Sequence, residues 1–139
     1  MDITDKNELC RRAVLAGQSA YAPYSGYRVG AAVLTSGGRI YSGCNIENAS
    51  YPAGICAEIS AAAAAVSAGD TVFSALAVAS ENPGDEPAYP CGVCRQFISE
   101  FIQSDIPVYL IGKDSVPAEE SFYSIFPNGF KLKDYNDNE

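Results

Sequence analysis

The chain has 139 residues, 47% of them apolar, with nine Tyr and six Phe, enough for one self-sufficient domain over residues 1–139 that needs no disulfide support. Nine basic against seventeen acidic side chains give a net charge of −8, which argues against partners held by phosphate contacts, nucleic acid included. Histidine is absent, which removes imidazole triads and imidazole zinc sites and leaves any chemistry to Cys, Asp, Glu, Lys or Tyr.

The N-terminus, MDITDKNELCRR, reads as neither secretory signal nor transit peptide, and no apolar run approaches the roughly 20 residues of a membrane span. No membrane partner is expected, and the expected compartment is the cytoplasm. Residues 4–20 place Leu9, Ala13, Val14, Ala16 and Ala20 at helical spacing, with Thr4 or Asp5 as N-cap. After Ala22-Pro23-Tyr24-Ser25-Gly26, the stretches Tyr27–Leu34 and Arg39–Cys44 flank Ser36-Gly37-Gly38 and predict a hairpin. Residues 45–55 carry Pro52 and Gly54 without any period and read as an irregular loop. Alanine-rich Cys56–Ala68, closed by Gly69 at the C′ position, predicts a second helix.

Thr71–Ala79 has the apolar, β-branched character of a covered strand. A third helix is predicted over Cys91–Gln103 and a short strand over Ile106–Ile111. Beyond it only an irregular apolar patch is visible, at Phe122, Tyr123, Ile125, Phe126 and Phe130. This order implies an α/β fold, a three-layer α/β/α sandwich whose mixed sheet is antiparallel at one edge and parallel beyond.

Five cysteines in a chain read as cytosolic do not suggest a disulfide set. Cys56 and Cys91 stand where loops enter helices, with Cys94 three residues on. Free amides and the helix dipole there favour thiolates at all three. Two such helix starts brought together offer three soft ligands for Zn²⁺, and three ligands leave the open, water-holding corner of a catalytic site. Glu58, two residues past Cys56, is then the carboxylate that moves protons to and from a substrate. Two other readings stay open. Cys91-Gly92-Val93-Cys94 alone suits a thiol redox pair, but that explains neither Cys56 nor Glu58. A structural zinc would recruit Cys44 or Cys10, whose positions at a strand end and inside a helix suit small buried hydrophobes. Together the residues favour a catalytic metal.

Six stretches in register resemble the cytidine deaminase family: Tyr21-Ala22-Pro23-Tyr24-Ser25, Val29-Gly30-Ala31-Ala32, residues 43–51 (GCNIENASY), Cys56-Ala57-Glu58, residues 90–96 (PCGVCRQ) and Phe126-Pro127-Asn128-Gly129-Phe130. The resemblance implies a cytidine deaminase-like fold and the hydrolytic deamination of cytidine and deoxycytidine to uridine and deoxyuridine with release of ammonia, in pyrimidine salvage. One zinc per subunit would be held by Cys56, Cys91 and Cys94. Zinc-bound hydroxide would attack C4 of cytosine, with Glu58 shuttling the proton to N3 and on to the departing amine. Asn45 and Glu47 would bond the ribose hydroxyl, and Tyr27, where the family usually has Phe, would pack on sugar and base. Main-chain groups around Ala57 and Tyr89 would read the polar edge of the base, and Phe130 would cover it from a neighbouring subunit. The family also implies a homotetramer, and the low bulk of the alanine helix suits close helix approach.

Ile59 stands where many members have an Arg that bonds the zinc-bound sulfurs. Arg95 and the two helix dipoles remain to offset their charge. An apolar residue there also occurs in blasticidin-type aminohydrolases, which makes a modified cytosine nucleoside the alternative substrate, although Asn45-Ile46-Glu47-Asn48 favours ordinary cytidine. A zinc or thiol-redox module without deaminase activity is the alternative of another class.

Overall fold

The computed structural model describes residues 2–81, 87–113 and 116–132. Helix α1, Ile3–Gly17, starts at Asp2, whose carboxylate accepts the Asp5 N–H at 2.9 Å. The cap thus precedes the expected Thr4 or Asp5. Its buried stripe is Leu9, Cys10, Ala13 and Gly17, which replaces the expected Val14, Ala16 and Ala20. Val14 follows Ala13 by about 100° round the helix and points off the stripe, and the helix ends before Ala20.

Strands β1, Val29–Thr35, and β2, Ile40–Cys44, form the predicted hairpin. Helix α2, Ala57–Ser67, follows. It closes as expected at Gly69 (φ 93°): Gly69 N–H donates to the Val66 carbonyl and Asp70 N–H to that of Ala65, both at 3.0 Å, the paired bonds of a Schellman end. Strand β3 is Phe73–Ser80 and β4 is Pro107–Ile111. Helix α3 covers only Gly92–Ser99 rather than Cys91–Gln103. The Phe101 carbonyl accepts Phe73 N–H at 2.8 Å at the entry to β3, so the chain leaves the helix to make that bond. The tail contains two elements the pattern did not announce, β5 at Ala118–Ser121 and α4 at Phe122–Ile125.

The sheet order is β2-β1-β3-β4-β5. Only β3 and β4 pair in parallel, and antiparallel pairs flank them on both sides. The expected parallel block beyond one antiparallel edge is therefore corrected. The crossover through α2 carries the chain from β2 past β1 to β3, so the hairpin strand β1 separates two strands that run the same way. Alternate residues divide the faces. Ala31, Val33, Leu76, Val78, Val108 and Leu110 pack against Ala57, Ala61, Ala65, Ile98 and Phe122. Ala32, Leu34, Ala75, Ala77, Tyr109 and Ile111 pack against Leu9 and Ala13 of α1. The result is the three-layer α/β/α arrangement, with α1 alone on one side and α2, α3 and α4 on the other.

Because β2 and β3 run in the same direction, α2 and α3 both begin at the same end of the sheet, beyond the strands' carboxyl ends, where open α/β sheets leave a crevice. Helix α2 lies close on β2: a Cβ at Gly43 would stand 2.4 Å from Ser60 Oγ and 2.5 Å from Ala61 N. The loop 45–55 is less irregular than expected. Ile46 and Ile55 exchange two main-chain bonds of 3.0 Å, and a short 3₁₀ turn covers Tyr51–Ala53. No helix among the described residues is long and apolar enough to cross a membrane.

Candidate active site and metal centre

Cys56 is the N-cap of α2 and Cys91 the N-cap of α3, both in extended backbone (ψ 159° and 171°). Capping residues usually turn a side-chain oxygen back onto the first helical amides. Neither thiol makes such a cap bond, and the two turn toward each other instead, Cys56 half-buried and Cys91 exposed. Cys94, in the first turn of α3, is fully buried. Cys56 Sγ lies 3.9 Å from Cys91 Sγ, Cys91 Sγ lies 3.5 Å from Cys94 Sγ, and all three sulfurs fall within 4.8 Å of one another.

Tetrahedral zinc with Zn–S bonds of about 2.3 Å separates its sulfurs by roughly 3.8 Å, so the observed spacings bracket what the metal requires. Cys10 and Cys44 stay outside the cluster among the described residues, and Cys10 packs on the opposite face of the sheet. No fourth cysteine therefore closes the coordination.

The charge of the cluster agrees with this donor set. Cys56 is drawn down to about 6, chiefly by the Cys94 thiol beside it. Cys94 is driven well above the ordinary thiol range by that contact with Cys56 and by its own burial. Sulfurs packed this closely cannot all carry charge together without a cation to offset it. A divalent cation supplies the charge that releases further protons.

Glu58, in the first turn of α2, is 4% exposed. Burial, with the neighbouring Cys56 charge adding to it, lifts its carboxyl to about 7. It opens onto a cavity of about 730 Å³ that Cys56, Ala57 and Cys91 also line, within the range of small-ligand sites.

Of the other expected residues, Tyr27, Asn45, Glu47 and Tyr89 line this cavity as well. The polar ends of Asn45 and Glu47 are already engaged by the chain. Asn45 Oδ1 accepts Val29 N–H at 2.9 Å and its Nδ2 donates to the Tyr27 carbonyl at 2.7 Å. Glu47 Oε1 accepts Tyr24 N–H and Ser25 N–H at 2.9 and 3.1 Å, and Oε2 accepts the Ser25 hydroxyl at 2.5 Å. The Ser25 bond chiefly holds the Glu47 carboxyl below its usual range. Tyr89 donates its hydroxyl to Glu120 Oε1 at 3.2 Å, on the edge strand β5.

Phe130 does not line the cavity of its own chain, and the residue is 70% exposed. Arg95 donates from Nε to the Pro90 carbonyl at 2.7 Å and from Nη1 to the Ile125 carbonyl at 2.5 Å. It thereby braces the peptide before Cys91 and makes no bond to sulfur. Two contributions went unread in the sequence: the Tyr24-Ser25 turn that receives Glu47, and Gln96, whose side chain bonds the Phe130 main chain. Both depend on contacts between distant segments, which no local spacing encodes.

The model of the cytidine and deoxycytidylate deaminase zinc-binding region matches residues 3–110. The cytidine deaminase of Sporosarcina psychrophila is 42% identical over 130 residues, covering 94% of each chain. The crystal structure of cytidine deaminase from Burkholderia pseudomallei superposes with a TM-score of 0.82 at 38% identity, covering 94% of this chain and 100% of that one. That from Mycobacterium tuberculosis gives 0.79 at 35% identity, again over 94% and 100%. With three sulfurs at zinc spacing and a buried carboxyl beside them, the chain belongs to the cytidine and deoxycytidylate deaminase family.

Proposed function

We propose that this chain hydrolyses the exocyclic amine of cytidine and deoxycytidine, giving uridine or deoxyuridine and ammonia. The observation that carries the reading is the opening of Glu58, Cys56 and Cys91 onto one nucleoside-sized cavity, with Cys94 closing the three-sulfur cluster behind them. Cys56, Cys91 and Cys94 would hold the zinc, which when bound would supply Lewis-acid activation of the attacking water. Glu58 takes the proton on a carboxylate oxygen and delivers it to ring N3. It then takes the proton of the hydroxyl newly bonded to C4 and passes it to the amine as the C4–N bond breaks and the C4 carbonyl forms, so one carboxyl serves in turn as base and as acid. Its burial keeps bulk water from competing for that proton.

The remaining residues bind and orient. Asn45 and Glu47 are fixed by their bonds to the main chain of residues 24–29, yet each keeps spare hydrogen-bonding capacity for a ribose hydroxyl. Tyr27 flanks the sugar and base. Main-chain groups at Ala57 and Tyr89 meet the polar edge of the base, and Arg95 holds the peptide before Cys91 in place.

The assembly is a homotetramer in which Phe130 covers the base of a neighbouring subunit. A cytoplasmic setting suits the site, because reducing conditions keep its thiols available to the metal.

The test is a spectrophotometric assay of the purified protein with cytidine, deoxycytidine and blasticidin, paired with metal analysis. Turnover of the two ordinary nucleosides with one zinc per chain is expected. Turnover of blasticidin alone would transfer the reading to a modified nucleoside, consistent with Ile59. Zinc without turnover of any of them would leave a structural metal.

A further inference from the structure

We infer that Gln96 is a positioning residue that sets the place of the Phe130 ring by clamping its main chain. The inference rests on the reading that Phe130 covers substrate in a neighbouring copy. Gln96 lies on α3, two residues past Cys94, and its side-chain amide is used at both ends on one residue. Oε1 accepts Phe130 N–H and Nε2 donates to the Phe130 carbonyl, each at 3.0 Å. An amide matched in this way to both groups of a single peptide residue fixes its orientation as well as its distance.

The preceding residue of α3 holds the other end of the same segment, since Arg95 Nη1 bonds the Ile125 carbonyl. Between the two anchors, a Cβ at Gly129 would stand 2.5 Å from the Phe126 ring, so the chain lies directly against that ring. Phe126 itself packs on the core that contains Ile98 of α3. The segment 125–130 is thus bonded at both ends to the helix that carries Cys91 and Cys94.

Phe130, at the end of this segment, remains 70% exposed. Hydrogen bonds that orient an apolar side chain outward do not serve the fold of the same chain, because they forgo the gain from burying the ring. They do serve presentation. A ring on a loose tail must be ordered on each binding event, whereas a ring on a clamped backbone is already in place. The same helix therefore holds the metal ligands of its own site and the aromatic offered to the next.

The test uses Gln96→Met, which keeps the bulk and removes both bonds, and Gln96→Glu, which keeps the acceptor for Phe130 N–H and loses the donor. In Gln96→Met, KM for cytidine should rise about three- to tenfold, the range set by the net worth of one or two hydrogen bonds. Turnover number should change less than KM, and zinc content should stay at the wild-type level. Exchange of the Phe130 amide hydrogen should accelerate in Gln96→Met and stay slower in Gln96→Glu.

Adding Gln96→Met to Phe130→Ala should raise KM no further than Phe130→Ala alone, since one residue acts through the other. Independent, multiplying effects on KM would overturn the inference, as would unchanged exchange at Phe130. A Phe130→Ala variant with wild-type KM would instead overturn the covering role of the ring. Amide exchange would then decide the clamp by itself, acceleration supporting it and no change sinking it.

Discussion

The two walls of the cavity are built by opposite means. On the metal wall, the side chains that carry chemistry turn to one another: Cys56 and Cys91 occupy helix caps without capping, their thiols meet each other and Cys94, and Glu58 is buried beside the sulfurs with its carboxyl lifted to about 7. On the opposite wall, Asn45 and Glu47 have their polar atoms bonded to the main chain of residues 24–29 and to the Ser25 hydroxyl. The first wall gathers its donors around one point, ready for a metal and a proton. The second uses its valence to hold a shape. Loss of a side chain should therefore abolish chemistry on one wall and loosen binding on the other.

The largest effect is expected from Cys91→Ala. Two sulfurs and a methyl group cannot supply the three-thiolate set, so zinc per chain, measured by atomic absorption, should fall close to zero and deamination to background. Activity retained at full zinc content would mean that the metal wall is built from other residues. Next comes Glu58→Gln, which preserves shape and hydrogen bonding but cannot carry a proton. The turnover number should fall by about 10²–10⁴, the worth of positioned acid–base catalysis, with zinc content unchanged. These two variants divide the wall itself: the first removes the metal, the second leaves it in place without a proton carrier.

The same contrast governs what could be read from the chain beforehand. The metal wall was legible because its residues stand at helix starts, where position in the element dictates direction: Cys56 and Cys91 at caps, Cys94 and Glu58 in the first turns. The helices themselves were legible from alanine content and apolar spacing, and α2 ends at Gly69 as the pattern required. The opposite wall was not legible as structure, because the partners of Glu47 lie 22 and 23 positions away and nothing local announces them. Strand β5, Ala118–Ser121, carries two glutamates and no β-branched residue. It is a strand because β4 offers an open edge, and its charges suit the edge it then becomes. Helix α3 was read too long because its periodicity continues through Phe101 and Ile102, which are drawn instead to β3 and the core.

Asn45→Ala should act on the second wall alone. It leaves Val29 N–H and the Tyr27 carbonyl without their partner at the mouth of the cavity, a loss of about 1–2 kcal/mol in denaturant unfolding. KM for cytidine should rise while zinc content stays at the wild-type level. Asn45→Asp, which keeps the acceptor for Val29 N–H and loses the donor to Tyr27, should fall between. If either variant lost zinc, the two walls would be coupled rather than independent.

The smallest effect is expected from Glu47, and it should appear as a dependence on pH. Its carboxyl is held below the usual range chiefly by the Ser25 hydroxyl, with the Ser25 and Tyr24 amides assisting. A carboxyl lowered by folding contributes stability above its unfolded value, near 4.5, and loses that contribution as pH falls through the folded value. Glu47→Gln keeps an acceptor oxygen but cannot titrate. The difference in unfolding free energy between wild type and variant should therefore be constant from neutrality down to about pH 5 and shrink below it, with zinc content equal in the two proteins across the neutral range. Asp70 and Asp105 are also lowered by their partners and make both proteins acid-labile, so it is the difference between the two curves that reports on Glu47. A constant difference through pH 3 would mean that the Tyr24-Ser25 turn does not depend on the charge of Glu47, and that this wall keeps its shape by main-chain bonds such as Tyr21 N–H to the Asn45 carbonyl.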